Sequence, residues 1–279
     1  MKFSISNIAW TSDAEEYMYG LIRRKGFTGL EIAPTRIFPE KPYDDLHSAQ
    51  RWAEKLKREY DLSVVSLQSI WYGRNESLFG SYEERQALLE YTKRAIDFAC
   101  AVGAKNIVFG CPKNRNIPMV LGESLTNSSK IDTYYNQALN FFSVLGDYAA
   151  SNGVVIGMEA NPVMYNTNFI NTTLEALNLV KQVDSPGFRL NLDIGTMLIN
   201  NEPIGILTDN VDLISHVHVS EPGLEPVKHH VLHAQLAELL DINGYSGYVS
   251  IEMKKCTDLS VIYDSLDYIR SVFGEYGCV

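Results

Sequence analysis

The sequence predicts a closed (β/α)8 barrel, and three observations carry that prediction. Eight short apolar or β-branched runs alternate with eight stretches that read as helices, which indicates parallel strands joined by helices. The length of 279 residues suits such a barrel, which commonly needs about 250 residues. No linker, low-complexity segment or change of composition divides the chain, so we expect one domain over residues 1–279. An open doubly wound sheet is the alternative, but no glycine-rich dinucleotide motif follows the first strand.

The first four units occupy the N-terminal half of the chain. Gly26, Gly103 and Gly153 mark helix ends, where glycine is favoured because it adopts left-handed backbone angles easily. Pro34 and Thr35 predict a loop after the second strand. The predicted strands are 2–6, 30–33, 62–67 and 106–110, and the predicted helices are 13–25, 45–60, 82–102 and 131–152.

The last four units each end a strand in a side chain of the metal-ligand type. The predicted strands are 153–159, 188–193, 214–218 and 247–252, with helices up to 183, a short one after 193, and then 233–243 and 259–273. Their final residues are Glu159, Asp193, His218 and Glu252. Active sites of (β/α)8 barrels lie at the C-terminal ends of the strands. We therefore expect these four side chains to be neighbours around one half of the rim.

The four strand-end residues predict a site for one divalent metal ion. Three carboxylates and an imidazole, without a thiolate, suit Mn²⁺, Mg²⁺, Co²⁺ or Zn²⁺. Buried carboxylates are costly unless they are paired or bound to metal, so buried salt bridges or a degenerate site are the alternatives. Two carboxylates facing each other across a metal can also move protons on a carbon next to a carbonyl group.

Six further residues near the strand ends are candidate substrate contacts: Lys113, Arg115, Trp10, Trp71, Glu221 and His230. The two basic residues could bind a phosphate or carboxylate, or belong to an ordinary solvated loop. The two tryptophans could form walls of the pocket, although core packing explains them equally well. The glutamate could contact substrate oxygens or pair with a loop cation, and the histidine could lie at the surface instead.

Composition excludes several other classes of protein. The net charge of −10 disfavours a surface built for nucleic-acid phosphates. The N-terminus lacks the apolar core of a signal peptide, and no apolar run approaches the ~20 residues of a membrane span. Scattered cysteines without a C-x-x-C pair indicate a reducing compartment. We therefore expect a cytoplasmic protein with a small-molecule substrate, no nucleic-acid or membrane partner, and a possible homo-oligomeric assembly.

Several motifs resemble the xylose-isomerase-like TIM-barrel superfamily. That superfamily includes sugar phosphate isomerases/epimerases, ketose 3-epimerases, inosose dehydratases and AP endonucleases. The likeness covers the whole chain and is strongest in residues 158–162 (MEANP), 191–193 (NLD), 216–221 (HVHVSE) and 250–254 (SIEMK). Residues 112–115 (PKNR) and 168–173 (NFINTT) are similar to the isomerase/epimerase branch.

The resemblance implies that Glu159, Asp193, His218 and Glu252 hold one metal ion. It further implies that the metal binds two adjacent substrate oxygens and stabilises a cis-enediolate. One of the two glutamates would remove a proton and the other would return it, from the opposite face for epimerisation. The implied substrate is a small sugar, a sugar phosphate or a related polyol ketone. An inosose-type dehydratase is the alternative, followed by DNA repair and a non-catalytic sugar-binding barrel.

Two departures from the superfamily pattern stand out. Many relatives have histidine three positions after the aspartate of the sixth strand, where this chain has Thr196. The AP endonucleases use additional histidines after the second and third strands, where this chain offers Glu31, Gln68 and Ser69. The lack of histidine at these strand ends therefore argues against a trinuclear zinc centre.

Overall fold

The structure, a computed structural model, describes residues 1–118 and 128–274. Cys278, one of the four scattered cysteines, lies outside the described residues. Within those ranges, eight parallel strands close into a barrel in chain order, which confirms the predicted fold class. The barrel closes where β1 pairs with β8, with Phe3 opposite Val249. The strands are β1 Lys2–Ser6, β2 Gly29–Ile32, β3 Ser63–Leu67, β4 Asn106–Phe109, β5 Val155–Glu159, β6 Phe188–Asp193, β7 Ile214–Val219 and β8 Tyr248–Ile251.

Helices connect the strands on the outside of the barrel. Two of them begin with capping boxes, built by Ser81 with Glu84 and by Thr172 with Glu175. These reciprocal hydrogen bonds satisfy backbone N–H groups that the first helical turn leaves unpaired. The helices are α1 Glu15–Arg24, α2 Pro34–Ile37, α3 Leu46–Tyr60, α4 Tyr82–Val102, α5 Ser128–Ser151, α6 Thr173–Val183, α7 Ile194–Asn200, α8 Val231–Ile242 and α9 Leu259–Gly274.

Several bounds differ by one to three residues from the predicted ones, among them the end of β7, which runs to Val219 so that His218 is its last residue but one. Three departures have a clear consequence or cause. Pro34 begins the short helix α2 instead of a loop, because proline is favoured at the first helical position. Helix α1 begins at Glu15 because a 3-10 turn over Ser12–Ala14 precedes it. Strand β8 ends at Ile251, so Glu252 is the first residue after the strand instead of its last. Among the described residues, no helix has the length and apolarity needed to cross a bilayer.

The core between the barrel and its helices contains a cluster of aromatic rings. Phe142 of α5 is fully buried, and its ring centroid lies 4.9 Å from the ring centroids of both Phe109 and Phe188. These contacts join α5 to β4 and β6. Since β5 lies between those two strands, α5 helps to set the position of the strand that ends in Glu159.

Replacing this phenylalanine should destabilise the barrel strongly. We expect Phe142→Ala to lower the free energy of unfolding by about 3–5 kcal/mol, because it removes a buried ring and leaves a cavity. Urea unfolding followed by circular dichroism measures the change. Val144→Ala is the matched control on the same helix, since Val144 is 49% exposed and should change the stability by about 0.5 kcal/mol or less. Equal effects of the two substitutions would contradict this account of the core.

Candidate active site

Three of the four predicted ligands meet at the C-terminal rim of the barrel. His218 Nδ1 lies 2.9 Å from Glu159 Oε1 and 3.3 Å from Glu252 Oε2. The three ligand atoms lie within 4.8 Å of one another. His218 is fully buried, and the two glutamates keep only a small exposed fraction at the mouth. The sequence thus located three side chains that the fold brings into one cluster.

Asp193, the fourth predicted ligand, lies beside His218 in the register of β6 with β7. Its carboxylate faces donors of its own: Gly195 N–H donates to Oδ1 over 3.2 Å, and the Ser220 hydroxyl donates to the same oxygen. Asp193 also caps the first turn of α7. Within the described residues it is not part of the group whose ligand atoms lie within 4.8 Å of one another. Binding of a metal by Asp193 would therefore compete with these hydrogen bonds.

Thr196 occupies the position where many relatives have histidine. Its hydroxyl oxygen lies 2.8 Å from Asp193 Oδ2 and 2.9 Å from the carbonyl oxygen of Ala160, and its backbone N–H donates to the same carboxylate oxygen over 3.1 Å. Thr196 is itself buried. The residue therefore fixes Asp193 and joins β6 to the end of β5.

Two side-chain amides hold the carboxylate of Glu159. Asn191 Nδ2 donates to Oε1 over 2.8 Å, and Asn161 Nδ2 donates to Oε2 over 3.1 Å. Gly110 directly follows the neighbouring strand β4, and a Cβ at this position would lie 2.7 Å from Glu159 Oε2. Position 110 therefore needs a residue without a side chain, because a side chain would displace the carboxylate that the two amides orient.

Glu31, from β2 on the other side of the barrel, is the group that sequence reasoning did not assign to the site. Its Oε2 lies 3.0 Å from His218 Nε2 and 3.1 Å from His216 Nε2, and all three side chains are buried. Gln68 Nε2 donates to the other oxygen of Glu31 over 3.3 Å. The available signal was a single charged residue inside the otherwise apolar strand Gly29–Ile32.

The carboxylates of the cluster carry more negative charge than the neighbouring cationic groups neutralise. Burial, reinforced by the charge of Glu159, raises the pKa of Asp193 to about 6 and that of Glu252 to about 7. Burial lowers the pKa of His218, but the charges of Glu31 and Glu252 outweigh burial and raise that pKa well above its usual value. A protonated His218 therefore supplies positive charge among these carboxylates. Oxygen donors with one imidazole and an excess of negative charge fit a divalent cation.

Metal binding to this cluster should depend on pH because it displaces protons. Asp193, Glu252 and His218 bind protons in the metal-free protein and must lose them to act as ligands. We expect the affinity for Mn²⁺ to weaken as the pH falls from about 7.5 to 5.5, by about tenfold per pH unit for each proton released. Titration calorimetry in buffers of different ionisation enthalpy measures both the affinity and the proton release. Affinity that stays constant over this range would contradict the assignment of these ligands.

The two predicted anion-binding residues of the loop after β4 lie in different environments. Lys113 is exposed, and its Nζ donates to Asn75 Oδ1 over 2.8 Å. Arg115 is fully buried and donates to the carbonyl oxygen of Glu159 over 3.1 Å and to Asn161 Oδ1 over 2.7 Å. The structure thus places Arg115 in the interior beside Glu159 instead of in a solvated loop, and its contact with a substrate anion stays a prediction.

The two predicted aromatic walls lie in the interior. Trp10 is fully buried. The Trp71 indole N–H donates to Thr92 Oγ1 over 2.8 Å, and the ring packs edge-on against Phe109. In both cases the core-packing interpretation describes the observed position. Tyr72, the next residue after Trp71, is instead 72% exposed at this side of the rim.

Glu221 and His230 form a pair after β7. His230 Nε2 lies 2.8 Å from Glu221 Oε1, and Lys228 N–H donates to the same oxygen over 2.9 Å. Glu221 is buried. Glu221 therefore has a side-chain partner and a backbone partner within the β7–α8 loop.

The family model described as "Xylose isomerase-like TIM barrel" matches residues 20–272. The chain belongs to this family. A search of curated protein sequences finds no significant match. The family assignment therefore rests on the family model, and the solved structures show the same fold.

Solved structures of this xylose isomerase-like fold superpose along the whole chain. One is the apo form of 3-keto-D-glucoside 4-epimerase from E. coli, with 23% identity, coverage of 97% of this chain and 99% of that chain, and a TM-score of 0.73. Another is D-psicose 3-epimerase from Clostridium cellulolyticum H10, with 18% identity, coverage of 98% and 99%, and a TM-score of 0.74. A family 2 AP endonuclease from Brucella melitensis has 17% identity, coverage of 99% and 98%, and a TM-score of 0.69.

Proposed function

We propose that this chain is a divalent-metal-dependent isomerase or epimerase of a small sugar, a sugar phosphate or a related polyol ketone. One observation carries the proposal: the carboxylates of Glu159 and Glu252 both lie beside His218 Nδ1 in a buried cluster at the rim. Sugar epimerases among the structural neighbours support this class of activity. Among the described residues, no histidine stands at the ends of β2 or β3, which disfavours the endonuclease alternative.

The proposed metal ligands are Glu159, Asp193, His218 and Glu252, and Mn²⁺, Mg²⁺, Co²⁺ and Zn²⁺ are the candidate ions. When bound, such an ion supplies positive charge that polarises a carbonyl group and stabilises the negative charge developing on its oxygen. Asp193 and His218 serve mainly to hold the ion. The donor set fits this task because it is rich in oxygen and contains no thiolate.

The two glutamates carry the proton transfer in this proposal. Strands β6 and β7 lie between β5 and β8, so Glu159 and Glu252 reach His218 Nδ1 from different sides. One carboxylate takes the proton from the carbon next to the carbonyl group, and the other returns a proton, from the opposite face for epimerisation. The amides of Asn161 and Asn191 keep Glu159 oriented, because a base must lie within hydrogen-bond reach of its proton.

Turnover in heavy water tests the proposed function. The metal-free protein is loaded with each of the four ions and incubated in D₂O with free ketoses, ketose phosphates and an inosose. We expect an epimer or isomer that carries deuterium on the carbon next to the carbonyl group, detected by NMR and mass spectrometry. Loss of water would instead identify the dehydratase alternative. Absence of both exchange and turnover with every ion and substrate class would contradict the proposal.

Three further predictions, on location, assembly and domain organisation, stand beside this proposal. The cytoplasmic location rests on the sequence, as does the possible homo-oligomer, and both stay predictions. The single domain over residues 1–279 also stays a prediction. None of them is needed for the proposed chemistry, because the clustered ligands all come from one chain.

A further inference from the structure

A large cavity opens on the same rim as the candidate active site, on the side of strands β1 to β3. Its volume is about 960 Å³, and its lining comes from the segments that follow these three strands and from helix α4. Ser69 lines it and donates to Gln68 Oε1 over 3.1 Å, and Gln68 in turn donates to Glu31. Since Glu31 contacts His218, hydrogen-bonded side chains connect the cavity to the candidate metal ligands at the rim.

The lining of this cavity is basic in a protein that is acidic overall. Four cations line it against one acid: Arg36, Lys41, Arg74, Arg94 and Asp44. The chain as a whole has 34 acidic and 24 basic residues. Cations of such a lining raise the local concentration of anions to the extent that carboxylates do not already neutralise them.

The four cations differ in how far they are already neutralised. All three arginines are in ion pairs: Arg94 with Asp44, Arg74 with Glu76, and Arg36 with Glu15 over 2.7 Å. The guanidinium of Arg74 also lies 4.7 Å from the ring centroid of Tyr91. Arg36 Nη1 donates to the carbonyl oxygen of Trp10 over 2.7 Å. These contacts fix the three guanidinium groups in place, which lowers the entropic cost of using their remaining N–H donors.

Lys41 is the cation of this set that has no ion pair within the part of the chain that the structure describes. It is exposed and lies in the loop between α2 and α3, directly before Pro42. Its φ of 49° is a left-handed conformation that non-glycine residues rarely adopt. The loop therefore presents a lysine without an ion-pair partner at the edge of the cavity.

We propose that this cavity binds an anionic group, a phosphate or a carboxylate, on the part of the substrate that does not react. This inference rests on the proposed function, since it assigns the substrate class of the same site. Lys41 supplies the unpaired charge, and Arg36, Arg74 and Arg94 supply oriented N–H donors. Binding of this remote group would hold the ketone end of the substrate beside the candidate metal ligands. The anionic group itself would take no part in proton transfer.

Anion binding by the metal-free protein tests this inference independently of catalysis. Protein treated with EDTA is titrated with inorganic phosphate and, separately, with acetate, and NMR or calorimetry reports binding. We expect saturable binding of at least one anion that Lys41→Ala weakens about tenfold and Lys41→Glu abolishes. Lys181→Ala, which removes an exposed lysine near the end of α6, is the matched control and should leave anion binding unchanged.

The two anions and the substrate panel separate the possible outcomes. Preference for phosphate assigns a ketose phosphate, and preference for acetate assigns a sugar acid; Lys41→Ala should then raise KM for that substrate and leave kcat nearly unchanged. Turnover of neutral ketoses without anion binding would overturn the anion site and leave the proposed function standing. Anion binding that depends on Lys41, without any proton exchange, would uphold the site and contradict the proposed function.

Discussion

Glu252→Gln is expected to slow exchange of the substrate's carbon-bound proton with solvent by about a thousandfold or more, while the barrel stays folded. The amide keeps the size of the carboxyl group but cannot accept a proton, and general acid–base catalysis typically contributes about 10²–10⁴-fold. Glu159→Gln should have a similar effect, because the proposed mechanism needs one carboxylate on each face. Deuterium exchange monitored by NMR measures both rates.

Two controls make this prediction specific. Glu238→Gln removes an exposed carboxylate from α8 and should leave exchange unchanged. Binding of Mn²⁺ should be measured for each glutamine variant, because the amide oxygen can still coordinate a metal. Full exchange in either variant, with metal bound, would refute the assigned role of that glutamate.

Removal of Glu31 is expected to weaken metal binding by about 10–100-fold, although Glu31 is not itself one of the proposed ligands. Its carboxylate lies 3.0 Å from His218 Nε2 and so directs the other ring nitrogen towards Glu159 and Glu252. Glu31→Ala leaves the imidazole ring without this partner, whereas Glu31→Gln keeps a hydrogen-bond acceptor and should lose less affinity. Calorimetric titration with Mn²⁺ measures the effect.

The ¹⁵N spectrum of the histidine side chains separates orientation of His218 from general destabilisation. In the metal-loaded protein we expect the His218 proton on Nε2, where Glu31 accepts it, and this signature should change in Glu31→Ala. Glu54→Ala, on the exposed face of α3, is the control and should alter neither the spectrum nor the affinity. Unchanged metal affinity together with an unchanged spectrum in Glu31→Ala would contradict the positioning role.

Local patterns in the sequence were sufficient to predict the barrel and the four strand-end residues. The alternation of strands with helices is a short-range property, and closure follows from the number of units. Parallel strands then bring their C-terminal ends to one rim, so Glu159, His218 and Glu252 could be expected to meet. Two of the four positions differed from the predicted strand ends: Glu252 lies one residue beyond β8, and His218 is the last residue but one of β7.

Contacts across the barrel and the direction of loop side chains could not be derived in this way. Glu31 reaches His218 from 187 positions away in the chain, and no local pattern specifies which side chains meet across a closed barrel. Arg115 belongs to a polar loop, so its sequence context indicates solvent, yet it is buried, with Nη2 bonded to Asn161 and to the backbone of Glu159 and with Nε and Nη1 unpaired. Such positions depend on how the completed barrel packs.

The position of Mn²⁺ in crystals of the metal-loaded protein tests the central claim most directly. An anomalous difference map should show one peak per chain, bound by the carboxylates of Glu159, Asp193 and Glu252 and by His218 Nδ1. The structure contains a second candidate group, Glu31 with His216 and His218, whose ligand atoms also lie close together. A peak at that deeper group, or no peak at the rim, would contradict the proposed metal centre.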